Sequence, residues 1–267
     1  MDIRKHLCFR LSTLAVLFLA AGWATVPPTS SGQVTRKPVK AEPALPPVSP
    51  ETLARIEAGF VRVPTSAIPS RVVNHVEVPE LKVPAFLLAK YEVTQEDWVA
   101  VMGYNPSAEQ DDPKLPVTKV SWHDAHRFID RLNAAKGVSV FRLPTAAEWE
   151  AACRAGAMGR VPATATESTL SQVAWWGKNS GDRTHPVGRL KPNAFGFYDM
   201  LGNVEEWCET AQDEKARDKL RVTAGGHFND ENLVGDDCST TSWQSDWGHD
   251  RWTGFRLAKD AAPAKKK

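Results

Sequence analysis

Hydrophobic and polar positions fall into three regimes along the chain. Between residues 94 and 156 the apolar positions recur at helical spacing: Ala125, Phe128, Ile129 and Leu132 share one face, and Trp149, Ala152 and Cys153 share another. Three helices are predicted there, each opened by a hydroxyl residue with an acid three positions on: Thr94 with Asp97, Ser121 with Asp124, and Thr145 with Glu148. That pairing satisfies the orphan amides of a first helical turn. Gly103, Gly137 and Gly156 stand where a glycine would close each helix. Ahead of the helices, residues 60–63 and 71–86 alternate valine with polar groups between prolines and read as short, edge-type strands. Beyond Gly156 the periodicity fades to brief apolar runs at 221–223 and 254–257. This half still holds six of the ten tryptophans, so it is folded but irregular. Such folds commonly fix their loops with ions or disulfides.

Within the irregular half, residues 191–207 (KPNAFGFYDMLGNVEEW) carry glycines, aromatics and carboxylates at spacings that suit neither a regular helix nor a regular strand. Gly196, Gly202 and Asn203 are turn formers. Asp199 and Glu206, with the carbonyls between them, are the donor type that a hard cation takes. A turn-rich segment whose aromatics simply pack is the other reading.

Composition describes an ordinary globular chain of 267 residues, 42% hydrophobic and 24% charged, long enough to bury a full core. The N-terminus differs. Arg4, Lys5 and Arg10 precede an apolar run from Leu11 to Ala21, and Gly22 and Ala24 suit a cleavage site, so residues 1–24 read as a secretory signal peptide. The run is short of the roughly 20 residues that cross a bilayer, which leaves membrane contact only through an uncleaved leader. Cys8 lies ahead of the run and cannot accept a lipid after it. Export, most simply to a bacterial periplasm, is the expected address. A Pro/Ser/Lys-rich linker is expected over 25–55, a domain over 56–260 and a basic tail over 261–267. The leader carries three basic residues and one acid, so its removal takes the formal charge from +1 to −1. No nucleic-acid footprint remains. Cys153, Cys208 and Cys238 survive cleavage, enough for one disulfide and one spare thiol.

Several segments, in order, resemble the formylglycine-generating enzyme, or sulfatase-modifying factor, family: KYEVTQEDW from Lys90, NPS from Asn105, PVTKVSWHDA from Pro116, FRLPTAAEWEAACRAG from Phe141, HPVGRLKPNAFGFYDMLGNVEEWCET from His185, VTAGGHF from Val222 and GFRLA from Gly254. The resemblance covers about 200 residues, and its LPTxxEWE and PNxFGxYDMxGNVxEW blocks are specific. It implies an α+β, C-type-lectin-like fold of low regular-structure content. It also implies one structural calcium ion, held by Asp199 and Glu206 through side-chain oxygens and by Gly202 and Val204 through carbonyls. A second family calcium loop is short here, with only Asn179, Ser180 and Asp182 as candidates. Some members bridge the positions of Cys153 and Cys238 by a disulfide, leaving Cys208 as the spare.

The resemblance breaks at the chemistry. Family oxidases bind Cu(I) with two cysteines just after an RGGSW motif, a job for soft thiolates. Here that motif is Ala224-Gly225-Gly226-His227-Phe228, and the only cysteine that follows is Cys238. Glu205 replaces the tryptophan before EW, and copper is not expected. His227, Asp236, His249 and Asp250 are the right residue types for acid-base or metal chemistry, though at no recognised spacing, and His123 with His126 sits at i, i+3. The remaining surface is acidic and aromatic, with Asp230, Glu231, Asp236, Asp237, Asp246 and Asp250 among Trp243, Trp247 and Trp252. The expected function is an exported, calcium-stabilised binding or regulatory module whose partner is another secreted or envelope protein or a small ligand. The alternatives are an oxidase of altered chemistry on the same fold and a true formylglycine-generating enzyme.

Overall fold

Each predicted helix begins where its hydroxyl cap places it. In the computed structural model, which describes residues 45–73, 76–158, 165–213, 215, 219–233, 238–239 and 241–261, helix α2 (Gln95–Met102) follows Thr94, α3 (Trp122–Lys136) follows Ser121 and α4 (Ala146–Arg154) follows Thr145. At α3 and α4 the acid three residues on returns the bond to the cap's own N–H, a full capping box. Gly103 and Gly137 close the first two helices in the left-handed conformation. The third departs from expectation: Ala155, not Gly156, is its left-handed cap at φ 47°, its N–H bonded to Ala151 O, and Gly156 continues the turn at φ 88°.

The Pro-rich linker ends earlier than residue 55. Ser49 caps a further helix, α1 (Pro50–Ala58), with Pro50 in the first turn, where a missing N–H costs nothing. Val48 and Ile56 fall in the core with α2 and α3, so a segment that composition reads as solvated is held by packing. The leader, residues 25–44 and the tail after residue 261 lie outside the described residues.

The strands β1 (Phe60–Val63), β2 (Ser66–Ile68), β3 (Arg71–Val73), β4 (Val76–Val78), β5 (Leu81–Val83) and β6 (Phe86–Ala89) fill the expected N-terminal strand region. After the helices come β7 (Phe141–Arg142), a short helix α5 (Glu167–Leu170), β8 (Glu205–Ala211), β9 (Leu220–Ala224), β10 (Thr241–Ser245), β11 (Thr253–Gly254) and β12 (Ala258–Asp260). Two four-stranded sheets result, one ordered β1-β6-β12-β7 and the other β10-β9-β8-β11, with β2-β5 and β3-β4 as separate ribbons. Both β1 and β12 run antiparallel to β6, Phe60 opposite Ala89 and Ala258 opposite Leu88. The β8-β9 pairing shifts register between Trp207 and Ala211.

One core packs Trp98 flat on Phe128, ring centres 5.5 Å apart, with Phe255 edge-on to both. A second gathers Trp149, Trp176, Phe197, Leu88 and the Cys153–Cys238 disulfide, whose Cα atoms are 5.9 Å apart. The architecture is α+β with modest regular structure, and the long segment between α5 and β8 is ordered by its own hydrogen bonds. Asn193, for example, accepts from the N–H groups of Phe195 and Phe197 and donates to Ala152 O.

Candidate functional site

The loop at residues 199–206 turns through three consecutive constraints. Asp199, Gly202 and Asn203 all lie at positive φ, near 53°, 71° and 55°. At Gly202 the constraint is absolute, because a Cβ there would fall 2.1 Å from the carbonyl oxygen of Trp175. Asn203 N–H donates to that same oxygen at 2.7 Å, and Gly202 N–H donates to Gly225 O at 2.8 Å. The loop is thereby locked to the Ala224-Gly225-Gly226 turn that follows β9.

Beneath this loop lies a buried group of charges. Glu206, fully buried at the second position of β8, accepts from Arg256 Nε and Nη2, both at 2.6 Å, and from Trp149 Nε1 at 2.9 Å. Arg256 is itself fully buried and also donates to Tyr198 O at 3.0 Å. Burial opposes its charge, but Glu206, together with the charges of Glu92 and Asp199, outweighs burial and pushes the guanidinium pKa up. Asp199 Oδ2 accepts from Gly188 N–H at 2.7 Å, while its Oδ1 is buried with no partner. Burial raises its pKa to about 6, against the Gly188 bond and the Arg256 charge. Glu92, which the sequence reading passes over, completes the group. Its carboxylate accepts from Asn203 Nδ2 at 2.8 Å and Val204 N–H at 3.3 Å, and burial, then the charges of Asp199 and Glu206, push its pKa well up.

Three buried carboxylates therefore face one guanidinium. The free Asp199 oxygen is the donor type that a divalent cation takes. Glu206 fits less simply than its position implies, since Arg256 already engages both of its oxygens. Among the described residues no three His, Cys, Asp or Glu side chains converge as a metal cluster. The second, shorter loop is satisfied within the protein: Asn179 Oδ1 accepts from Trp176 N–H, Ser180 Oγ donates to Phe228 O, and Asp182 pairs with Arg251.

Among the described residues, the histidines considered for catalysis make the following contacts. The His227 ring stacks on Trp252, 5.3 Å between centres, and its Nδ1 accepts from Asn229 N–H within its own turn. His249 is exposed and contacts the carbonyl of Trp247 through Nδ1 at 2.9 Å. Asp250 is exposed, with its carbonyl accepting from Lys119 N–H, and Asp236 lies outside the described residues. The histidines that meet carboxylates are the pair on α3. His123 Nε2 lies 3.3 Å from Asp246 and His126 Nε2 lies 3.0 Å from Glu209, with their rings against Trp247 and Trp122. These contacts tie α3 to β8 and to the turn after β10.

Sulfur is equally committed. Cys238 is bridged to Cys153, and Cys208 is fully buried on β8, where burial pushes its thiol pKa well up. At the position of the missing tryptophan, the Glu205 carboxylate is buried and accepts from Thr223 Oγ1 and Gln244 Nε2, both at 2.9 Å, and Ser242 Oγ at 3.3 Å. A polar network spanning β8, β9 and β10 thus replaces an indole. Among the described residues no helix is long and apolar enough to cross a membrane.

Residues 40–261 match the family model described as the sulfatase-modifying factor enzyme 1-like domain. The chain is 30% identical over 192 residues to the chaperone protein LppX of Paenibacillus barcinonensis, covering 53% of this chain and 68% of that one. It is 32% identical over 206 residues to a formylglycine-generating enzyme of Thermomonospora curvata, covering 61% of this chain and 64% of the enzyme, slightly under two thirds of its length. Among solved structures it superposes on Treponema denticola variable protein 1 with a TM-score of 0.67 at 26% identity, over 76% of this chain and 95% of that one. The fold, the LPTxxEWE and GNVxEW blocks and the family match agree: the chain belongs to the sulfatase-modifying factor enzyme 1-like family, that of the formylglycine-generating enzymes.

Proposed function

We propose that this protein is a member of the family without formylglycine oxidase activity, working as an exported binding or regulatory module stabilised by calcium. The observation that carries the reading is the fate of its cysteines. Copper-dependent oxidation needs two neighbouring thiolates. Of the cysteines in the folded domain, two are joined to each other and the third is buried and held protonated. Support for a binding role comes from the exposed rings of Trp243 and Trp247, with Asp250 also exposed in the same segment. These features suit a partner that presents cationic or aromatic groups, either an envelope protein or a small ligand. Calcium is supported by the unpartnered Asp199 oxygen and the excess of buried carboxylate, and export by the apolar leader and the disulfide.

The test is incubation of the purified protein with Cu(I), oxygen and a CxPxR peptide, followed by mass spectrometry. No loss of sulfur from the peptide is expected, and formylglycine at a turnover rate would overturn the reading. A parallel thermal melt addresses calcium: millimolar calcium is expected to raise the midpoint over chelator, and Asp199→Asn is expected to erase that rise.

A further inference from the structure

A cavity of about 430 Å³ lies between α1, the end of β6, the start of α2 and residues 186–189, away from the β8-β9-β10 face. Its size is within the range that holds small organic ligands. Its apolar lining comes from Ile56, Val93, Phe128 and Leu257, of which Phe128 is fully buried. Four cations and three carboxylates line it, the carboxylates being the buried Glu92 with Glu96 and Asp97, and the cations divide into two kinds. Arg55 is paired with Asp97 at 2.6 Å and Lys114 is paired with Glu96. Lys90 and Arg189 make no ion pair among the described residues, and the half-buried Lys90 ammonium sits 5.5 and 5.2 Å from the ring centres of Tyr91 and Tyr198.

The half-buried Lys90 ammonium faces aromatic rings and makes no ion pair among the described residues, so an anion entering the cavity meets a cation that it need not win from a carboxylate. The wall that holds it is fixed. Tyr91 packs against Gly188, where a Cβ would fall 2.6 Å from the ring, and Gly188 N–H is bonded to Asp199. The Lys90 carbonyl is tied to Tyr198 N–H at 3.2 Å. An apolar interior with two unpaired cations at its edge is complementary to one kind of molecule. We propose that this cavity binds a small amphipathic organic anion, a carboxylate on a short apolar chain, with the chain against Ile56, Val93 and Leu257 and the carboxylate between Lys90 and Arg189. The inference is independent of whether the protein is an oxidase, since no residue of the AGGHF segment lines the cavity.

Isothermal titration of the full chain with octanoate, octylammonium and inorganic phosphate tests it. Octanoate is expected to bind one per chain, phosphate at least tenfold more weakly for want of the tail, and octylammonium without measurable heat. Lys90→Met and Arg189→Ala are each expected to weaken octanoate at least about tenfold, the loss of one charge-assisted hydrogen bond, with an unchanged thermal midpoint. Methyl NMR provides the location: octanoate should shift the Ile56, Val93 and Leu257 resonances. Equal binding of octylammonium, octanoate binding that ignores both substitutions, absence of octanoate binding, or methyl shifts confined elsewhere would each overturn the proposal.

Discussion

Replacing Arg256 with methionine removes the one cation of the buried charge group while keeping the unbranched apolar stem of the side chain. Arg256 donates two hydrogen bonds of 2.6 Å to Glu206 and others to the carbonyls of Ala89, Lys90, Tyr198 and Asp199. Taking it away leaves the Glu206 carboxylate fully buried beside Asp199 and Glu92 without its guanidinium partner. Breaking one side of a buried pair costs about 3–5 kcal/mol, a large share of the 5–15 kcal/mol that hold a typical domain together. Glu206→Gln alone strands the guanidinium and is expected to cost a similar amount. The double variant Arg256→Met with Glu206→Gln removes the stranded charge in both directions. Its cost is expected to fall short of the sum of the single costs by about 1–3 kcal/mol. Urea unfolding followed by tryptophan emission, in chelator so that calcium does not contribute, measures all three; equal m-values license the comparison. A loss below about 1 kcal/mol for Arg256→Met, or single effects that simply add, would refute the claim that this pair joins the GFR segment to the loop at 199–206.

Further outcomes follow from the same structure. Cys153→Ser and Cys238→Ser are each expected to lower stability by about 4 kcal/mol, the chain-entropy value for a link closing a loop of this length, and the double variant no further; additive losses in urea midpoints would argue against the bridge. Cys208, buried and with its thiol pKa pushed up, is expected to resist iodoacetamide at pH 8 in native protein and to react once unfolded, as read by mass on its peptide. Gly202→Ala must take φ 71° and bring a methyl against Trp175 O, so a loss of about 3 kcal/mol or more, or failure to fold, is expected; a native-like melt would show that the loop can shift. Glu205→Gln keeps the shape of its network and removes the charge. The amide keeps one acceptor oxygen and gives up the other, so a loss of about 1 kcal/mol, one hydrogen bond, is expected in urea unfolding, and an unchanged midpoint would show that the network does not contribute to stability.

Much of this protein was set by local sequence. The helix starts at Thr94, Ser121 and Thr145 are legible because a hydroxyl cap and an acid three residues on act within one turn, with no help from the rest of the fold. The absence of a copper-binding thiol pair is equally legible, since it depends on which residues exist. Tertiary structure decided the rest. Helix α1 forms in a Pro-rich stretch because Val48 and Ile56 find a core built from residues as distant in sequence as Trp98, Phe128 and Phe255, and no local pattern announces that. His123 and His126 are joined to Asp246 and Glu209 by strand placements that spacing does not encode. The loop of Asp199, Gly202 and Glu206 could be read as rich in oxygen donors. That Glu206 is shared with Arg256, that Glu92 stands near it, and that Asp199 keeps one free oxygen follow only from the tertiary packing that brings residues 92, 199, 206 and 256 into one buried region. Long-range burial, not local chemistry, sets the charge balance there.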